Sequence, residues 1–578
     1  GGYRMKKSWK KGIAAAMSVL LAAGMAGCGQ TNTANSTATS GDAATIAQTE
    51  AAQSNTDNGD LTVVKILGRN YTYTGANGKT VTLKDWSTEG KSKRWDKLSE
   101  NLAAKGVKLE LDLIEPDQFD TTIQTMAASG ELFNYDMINI TPLDDKTKLN
   151  LVKQGQLQSI SDIWETYSDG TYTDFINSDA GQFYFKHVAL EDGKCYWLTD
   201  YETGSYEGNP TNFILAFQIR QDWLDAIGKD MPTTLDEVYE DLKAFQDQDV
   251  NGNGQKDEAF LTDYSGFATD VAQWFGLGVG TTFINNQEDY KIESPWYQEH
   301  IKDYIQYMQK LYAAGLLKMN DSQGGTYMAN NQVAAISQWG TELWEETAIT
   351  VPEGAEYQWF APMRVDGIEG ETSLFRGSNA YNMCWTATAV PASSDKQEAI
   401  AKILDYLITQ ESMDLTEYGL ESVSYEMVDG KMSNTLDNTL ENTDAVGMAL
   451  WCNGSIFPRY KMNNDLSAEM DNTVVFAEKN GVKNNQTAKK DFTISCIKDP
   501  EHRIFHDLGA LAIPTVEEIN KTNEISTDLE TYSKELLTKL IMGEKSLDDW
   551  DSYIQDLKDL GLDDLIAVQQ ARVDRAMK

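Results

Sequence analysis

Basic residues, histidine, cysteine and proline are all scarce in this chain. Its 578 residues carry 49 Lys and Arg against 89 Asp and Glu, a formal net charge of −40. A surface that acidic repels a phosphate backbone over most approaches, which excludes nucleic-acid binding. Beyond the N-terminal region no run approaches the roughly 18 apolar residues of a membrane-spanning helix. The four histidines include only one close pair, His502 and His506, and the intervening Arg-Ile-Phe lacks the Glu of a zinc-protease helix. Cys195, Cys384, Cys452 and Cys496 show no CxxC spacing, so a zinc ribbon or redox motif is excluded; zero, one or two disulfides stay open. Neither a GxSxG elbow nor a GxxxxGK[ST] loop is present. With so many acids, any two would mimic a glycosidase pair, so acids alone carry no catalytic signal. No catalytic residue is assigned, and the chain reads as a non-enzyme. An exported glycoside hydrolase and a sugar-binding sensor or adhesin are the rival readings.

What is present is an apolar content of 41% and 43 Gly against 11 Pro, a globular composition whose length implies two or three domains. Read from Met5, the N-terminus has a basic Lys6-Lys7-Ser8-Trp9-Lys10-Lys11 segment, then an apolar stretch from Ile13 to Gly24. This is the pattern of a secretory leader over residues 1–27. Met25-Ala26-Gly27-Cys28 resembles a bacterial lipobox, with Met where Leu is usual, so Cys28 is expected to carry lipid. Residues 29–60 are mostly small and polar with no aromatic, the composition of a flexible tether. The expected location is the outer face of the cell membrane of a Gram-positive-type bacterium.

From Leu61 onward, strand patterns alternate with helical ones. Leu61–Leu67, Val107–Ile114, Tyr135–Ile140, Asn212–Ile219, Gln332–Gln338 and Asn382–Val390 read as strands. Helical periods cover Lys91–Lys105, the stretch from an Asp117 cap to Ala128, the stretch after Thr233-Thr234 to about Phe245, and most of the last 60 residues. Such alternation implies an α/β fold in which sheets are flanked by helices.

The sharpest motif is Asp249-Val250-Asn251-Gly252-Asn253-Gly254-Gln255-Lys256-Asp257-Glu258. Oxygen side chains fall at positions 1, 3, 5 and 9, and Gly at position 6 permits the sharp turn, as in an EF-hand-type calcium loop. Asp249, Asn251, Asn253, the Gln255 carbonyl, Asp257 and Glu258 are the expected ligands of a structural Ca²⁺. A register starting at Asp247, with Glu258 at position 12, uses most of the same donors. Aromatic groups in polar, glycine-bearing settings suit saccharide recognition, where a ring stacks on the apolar face of a pyranose. Trp274-Phe275, Trp339 with Trp344, Asn379-Ala380-Tyr381 and Trp451-Cys452-Asn453-Gly454 are such groups. Taken singly, each of them is explained more simply by core packing. Trp339 and Trp344 follow a strand end, where open α/β sheets bind ligands.

Four stretches together resemble family 1 extracellular solute-binding lipoproteins of bacterial ABC transporters, in particular the large Gram-positive oligosaccharide-binding branch. They are Ile219–Leu224 with Pro232–Glu237 and the calcium-type loop; Val333–Gly340; Glu417–Glu426, near Tyr-Gly-x-Glu-Gly-x-x-Tyr but with Ser422 where Gly is usual; and Asp549–Tyr553 with a C-terminal helix ending in Asp574-Arg575. The resemblance covers Leu61 to the C-terminus. It implies a two-lobed, type II periplasmic-binding-protein-like fold, a ligand cleft between the lobes, a bound calcium and delivery to a permease. Lobe 1 is expected over 61–212 and 366–415, and lobe 2 over 213–365 and 416–578, with hinges near 209–220, 360–366 and 411–418. The expected ligand is a neutral oligosaccharide bound by a monomer. Trp274, Trp339, Trp344 and Trp451 are its expected aromatic contacts, and Arg376, Asn379 and Tyr381 its polar ones.

Overall fold

A computed structural model describes residues 61–74, 79–206, 209–210, 213–267, 270–285, 290–319, 324–339, 354–359, 365, 373–376, 386–428, 430–434, 442, 444, 456–465, 503–506 and 511–577. Residues 59–578 form one compact unit. Cys28, Trp344, Asn379, Tyr381, Cys384, Trp451, Cys452, Cys496 and His502 lie outside the described residues.

Within that unit two sheets are built. The first has the order Val107–Ile114, Thr62–Arg69, Met137–Asn139, Thr388–Ala389, Trp197–Leu198. Its first three strands are parallel, and Thr62 to Arg69 pair in unbroken register with Val107 to Ile114. Val107–Ile114 alternates apolar and charged residues, as suits an edge strand with one wet face, whereas the inner strand Thr62–Arg69 buries Val64, Ile66 and Leu67. The second sheet centres on the long strand Phe213–Arg220, with Ser373–Arg376 on one side and Val333–Trp339 on the other. Tyr357–Trp359 pairs with the far end of the long strand, and Ala259–Thr262 continues the sheet beyond Val333–Trp339.

Helices start where the sequence supplies caps. The Ser92 hydroxyl accepts the Trp95 N–H ahead of Lys93–Ala104, and Thr234 with Glu237, and Thr515 with Glu518, close reciprocal capping boxes on Leu235–Gln248 and Val516–Ile541. Asp117 does not cap the next helix. Phe119–Ser129 begins after Gln118, which makes no side-chain cap, and ends at Gly130.

Each sheet has its own core. In the first, Trp164, Tyr172, Phe175, Tyr184, Tyr201 and Tyr460 interlock, with the Tyr172 and Tyr460 hydroxyls 2.9 Å apart. In the second, Phe217, Phe245, Phe260, Trp274 and Trp296 pack with Leu529, Leu536 and Leu540 of Val516–Ile541. These memberships shift the expected boundaries in two places. Ser373–Arg376 belongs to the second sheet, because it pairs with Phe213–Arg220 and Arg503–His506. The described residues of 416–465 stay with the first lobe: Arg94 donates to the Leu415, Thr416 and Asp444 carbonyls, and Tyr460–Asp465 pairs with Tyr201–Tyr206. Residues 411–418 therefore hold a docked helix, Gln410–Glu417, rather than a crossing. The C-terminal helix Leu562–Met577 touches both lobes, meeting Lys291–Glu293 on one side and Asp179–Val188 on the other. Arg572 on it donates to the Ala512 carbonyl at 2.9 Å, and Arg575 forks onto Glu518 at 2.8 and 2.9 Å. Among the described residues no helix is long and apolar enough to cross a membrane.

Candidate ligand cleft and cation loop

The chain leaves the first sheet after Leu198 and enters the second at Phe213. At that entry point the long strand is flanked by two strand ends. Leu215 pairs with Trp339, the last residue of Val333–Trp339, and Phe213 pairs with Arg376, the last residue of Ser373–Arg376. Two of the expected ligand contacts, far apart in sequence, thus arrive at one end of one sheet. Trp274 is placed differently. It is 2% exposed and its ring centroid lies 5.3 Å from that of Phe217. The indole thus packs against the core of the second lobe in this structure.

In the first lobe, the carboxyl end of the parallel strands carries a buried polar group of its own. Asn139 accepts from the Thr141 N–H and hydroxyl at 3.0 and 2.6 Å. Asp200 accepts from the Thr386 hydroxyl at 2.6 Å and the Arg459 N–H at 2.7 Å. The Thr388 hydroxyl is buried with no partner. Carboxyl ends of parallel strands are where open α/β sheets place ligands. Sequence reading missed this set, whose members are single polar residues in apolar contexts.

Behind it lies a closed ion-pair group. Arg459 forks onto Glu417 with both contacts at 2.6 Å, and Lys461 adds a contact at 3.4 Å. Burial pushes the Glu417 carboxyl up, but the two cations outweigh burial and hold it near about 2. Cys195 is a buried free thiol, pushed up to about 12 by burial. His187, also buried, is lowered to about 4 by desolvation.

The candidate cation loop, Asp249 to Glu258, follows Leu235–Gln248 directly. Asp249 ends that helix in the left-handed region at φ 49°, and its carboxylate accepts the Gly254 N–H at 3.0 Å, drawing position 1 onto position 6. Gly254 itself sits at φ 76°, which a residue with a Cβ rarely adopts. Asn251 and Asn253 accept from the N–H groups two residues on, and both direct amide nitrogens at Asp257. Asp247 remains in the helix, paired with Lys243 and Lys256, so the loop begins at Asp249 rather than Asp247. Glu258 is 0% exposed, accepts from the Asn251 and Asp257 N–H groups at 3.3 and 3.2 Å, and has no cationic partner among the described residues. Burial raises its pKa. Among the described residues no three His, Cys, Asp or Glu side chains gather as a metal cluster. The loop's donors are instead mixed carboxylate, amide and main-chain oxygens, the hard set that calcium takes. A buried carboxylate without a cation, inside such a set, fits that ion.

The loop is tied to the strand that ends at Trp339. Asn251 donates to the Asn331 carbonyl at 3.1 Å, Gln332 donates to Asp257, and the Ala259 N–H to the Gln332 carbonyl at 3.0 Å. Arg220, 3% exposed, anchors the same turn through Asn331 at 2.6 Å while forking onto Asp222 and lying 4.1 Å over the Trp223 ring.

Comparison with known proteins bears on what this arrangement is. Residues 85–414 match the family model described as bacterial extracellular solute-binding protein. Lipoprotein LipO of Bacillus subtilis is 27% identical over 38% of this chain, an alignment spanning 46% of LipO. FusA, the fructooligosaccharide ABC transporter substrate-binding protein of Streptococcus pneumoniae, is 20% identical over 78% of this chain and 81% of its own. A solved structure of FusA, an EF-hand mutant in complex with fructo-nystose, superposes with a TM-score of 0.60 at 16% identity, over 89% of this chain and 99% of that one. An HMO-binding, ABC-transporter-associated solute-binding protein of Bifidobacterium longum infantis gives 0.62 at 17% identity, over 90% and 99%. The fold is the two-lobed, type II solute-binding one, and the chain belongs to the bacterial extracellular solute-binding protein family.

Proposed function

We propose that this protein captures a neutral oligosaccharide between its lobes outside the cell and passes it, uncut, to the membrane subunits of an ABC transporter. The observation that carries the reading is the convergence of Trp339 and Arg376 on the two sides of Phe213–Leu215, where the chain enters the second lobe. Tryptophan and arginine are residue types that stack on a sugar ring and hydrogen-bond its hydroxyls. Trp344, Asn379, Tyr381 and Trp451 complete the contacts. The fructooligosaccharide that FusA is named for agrees with this class of ligand. A net charge of −40 steers polyanions away, which favours neutral glycans. Ligand stabilises the closed form by its differential affinity for the two states. Lipid on Cys28 and the tether over 29–60 keep the monomer near its permease and raise its effective concentration there. Asp249, Asn251, Asn253, Gln255, Asp257 and Glu258 hold a structural calcium.

The test is a thermal-shift panel of neutral and acidic oligosaccharides, each with calcium and with chelator. A bound glycan at 100 times its dissociation constant adds about 2.7 kcal/mol of stability. A shift with one neutral class is expected; none with any sugar, in a protein that melts cooperatively, overturns the reading. Equal melting with calcium and with chelator removes the metal.

A further inference from the structure

Gln273 lies in the short helix Asp270–Trp274 and is 1% exposed. Neither its amide nitrogen nor its amide oxygen has a hydrogen-bond partner. Leaving a buried donor or acceptor unmade forfeits its hydration with nothing in return, and folded proteins keep few such groups. The backbone here is not at fault, since the Gln273 carbonyl accepts the Gly276 N–H at 2.9 Å. The neighbours are also well seated: Trp274 packs on Phe217, and Phe275 on Tyr304 and Tyr307. The helix lies against two strands, Phe213–Arg220 and Ser373–Arg376, the same pair whose ends bring Arg376 beside Phe213. A buried amide with both halves unmet, on a well-packed helix beside the strands of the candidate cleft, is a group prepared for something the protein does not itself supply.

We propose that Gln273 is a ligand-binding residue whose side-chain amide takes a pair of adjacent hydroxyls on the captured saccharide. The inference rests on the reading of the protein as a saccharide binder and adds a contact and a preference to it. The amide oxygen accepts from one hydroxyl, and the amide nitrogen donates to the next. A vicinal diol answers both halves at once. A sugar carboxylate answers only the nitrogen and sets its charge against the amide oxygen, so this subsite selects a neutral ring over a uronate. The discrimination is of the strong kind, because a ligand lacking the diol leaves the buried amide unpaired.

The experiment compares the parent with Gln273→Leu and Gln273→Glu, using kestose, maltotriose and cellotriose as probes in calorimetric titrations, with ligand-free melting measured alongside. Leu removes both polar atoms at similar volume, so Gln273→Leu is expected to melt at or above the parent temperature without ligand. Its affinity for whichever probe the parent binds is expected to fall about tenfold, the size of a lost hydrogen-bonded contact. Gln273→Glu keeps an acceptor and loses the donor, and is expected to lose affinity similarly. Parent-like affinity in both variants overturns the inference alone. A fall of several degrees in the ligand-free melting of Gln273→Leu also overturns it, since the amide would then be holding the fold. Failure of the parent to bind any probe counts against the saccharide reading itself and removes the inference with it.

Discussion

Glu258 at the end of the cation loop and Glu417 at the end of Gln410–Glu417 are both carboxylates taken out of water, the first 0% exposed and the second with a side chain 5% exposed. Their surroundings differ. Glu417 receives Arg459 and Lys461 and is held near about 2. Glu258 receives two backbone N–H groups, no cation among the described residues, and a pKa raised by burial. An ion pair supplied by the chain is finished when the chain folds, and it locks Gln410–Glu417 to Tyr460–Asp465. A carboxylate left for an external cation makes the stability of its loop depend on that cation. The first lobe is therefore self-contained at this point, while the second is conditional on the calcium we propose for its loop.

The comparison breaks first at Glu417. Glu417→Gln leaves Arg459 and Lys461 buried without their counter-ion, and a loss of about 3–5 kcal/mol is expected in denaturant unfolding. A loss below about 1 kcal/mol would mean that the pair is solvated. Acid sharpens the point. A carboxyl depressed from its ordinary 4.5 to about 2 stabilises the fold fully above the higher value, and that contribution fades as pH falls toward the lower one. The gap in stability between parent and Glu417→Gln is accordingly expected to shrink between pH 4.5 and about 2, and a gap independent of pH would contradict the assignment. The smallest effect is expected at the other carboxylate. In chelator, Glu258→Gln should match the parent or exceed it by about 1 kcal/mol, because an uncompensated buried acid has been removed. In calcium it should lose the ion-dependent gain in melting temperature. A variant still stabilised by calcium would place the ion elsewhere.

Much of the fold is legible in local sequence. Val107–Ile114 alternates as an edge strand should, and Thr234 with Glu237 announces the helix they cap. The sharp turn of the loop follows from spacing alone, because Gly254 at position 6 takes the left-handed φ of 76°. Choosing between Asp249 and Asp247 as its start took Lys256, whose pairing with Asp247 depends on how the loop closes. What stayed hidden depends on distant partners. Tyr460 belongs to the first core because it meets Tyr172, a residue 288 positions earlier. Nothing near Ser373–Arg376 announces that it joins the second sheet. At the candidate site, the composition of Trp274-Phe275 points to an aromatic contact, yet packing on Phe217 takes the indole and leaves Gln273 as the unmet group. Ser422, where the family resemblance leads one to expect Gly, does adopt φ 61°, so the motif's backbone is kept although its usual residue is not.

The most direct measurement is a calorimetric titration of the purified protein, in calcium, with the neutral oligosaccharide that gives the largest thermal shift, followed by mass analysis of the recovered glycan. Saturable binding with the glycan recovered uncut is the predicted result. Recovery of cleaved product, or no binding by a folded protein to any neutral oligosaccharide, would contradict it.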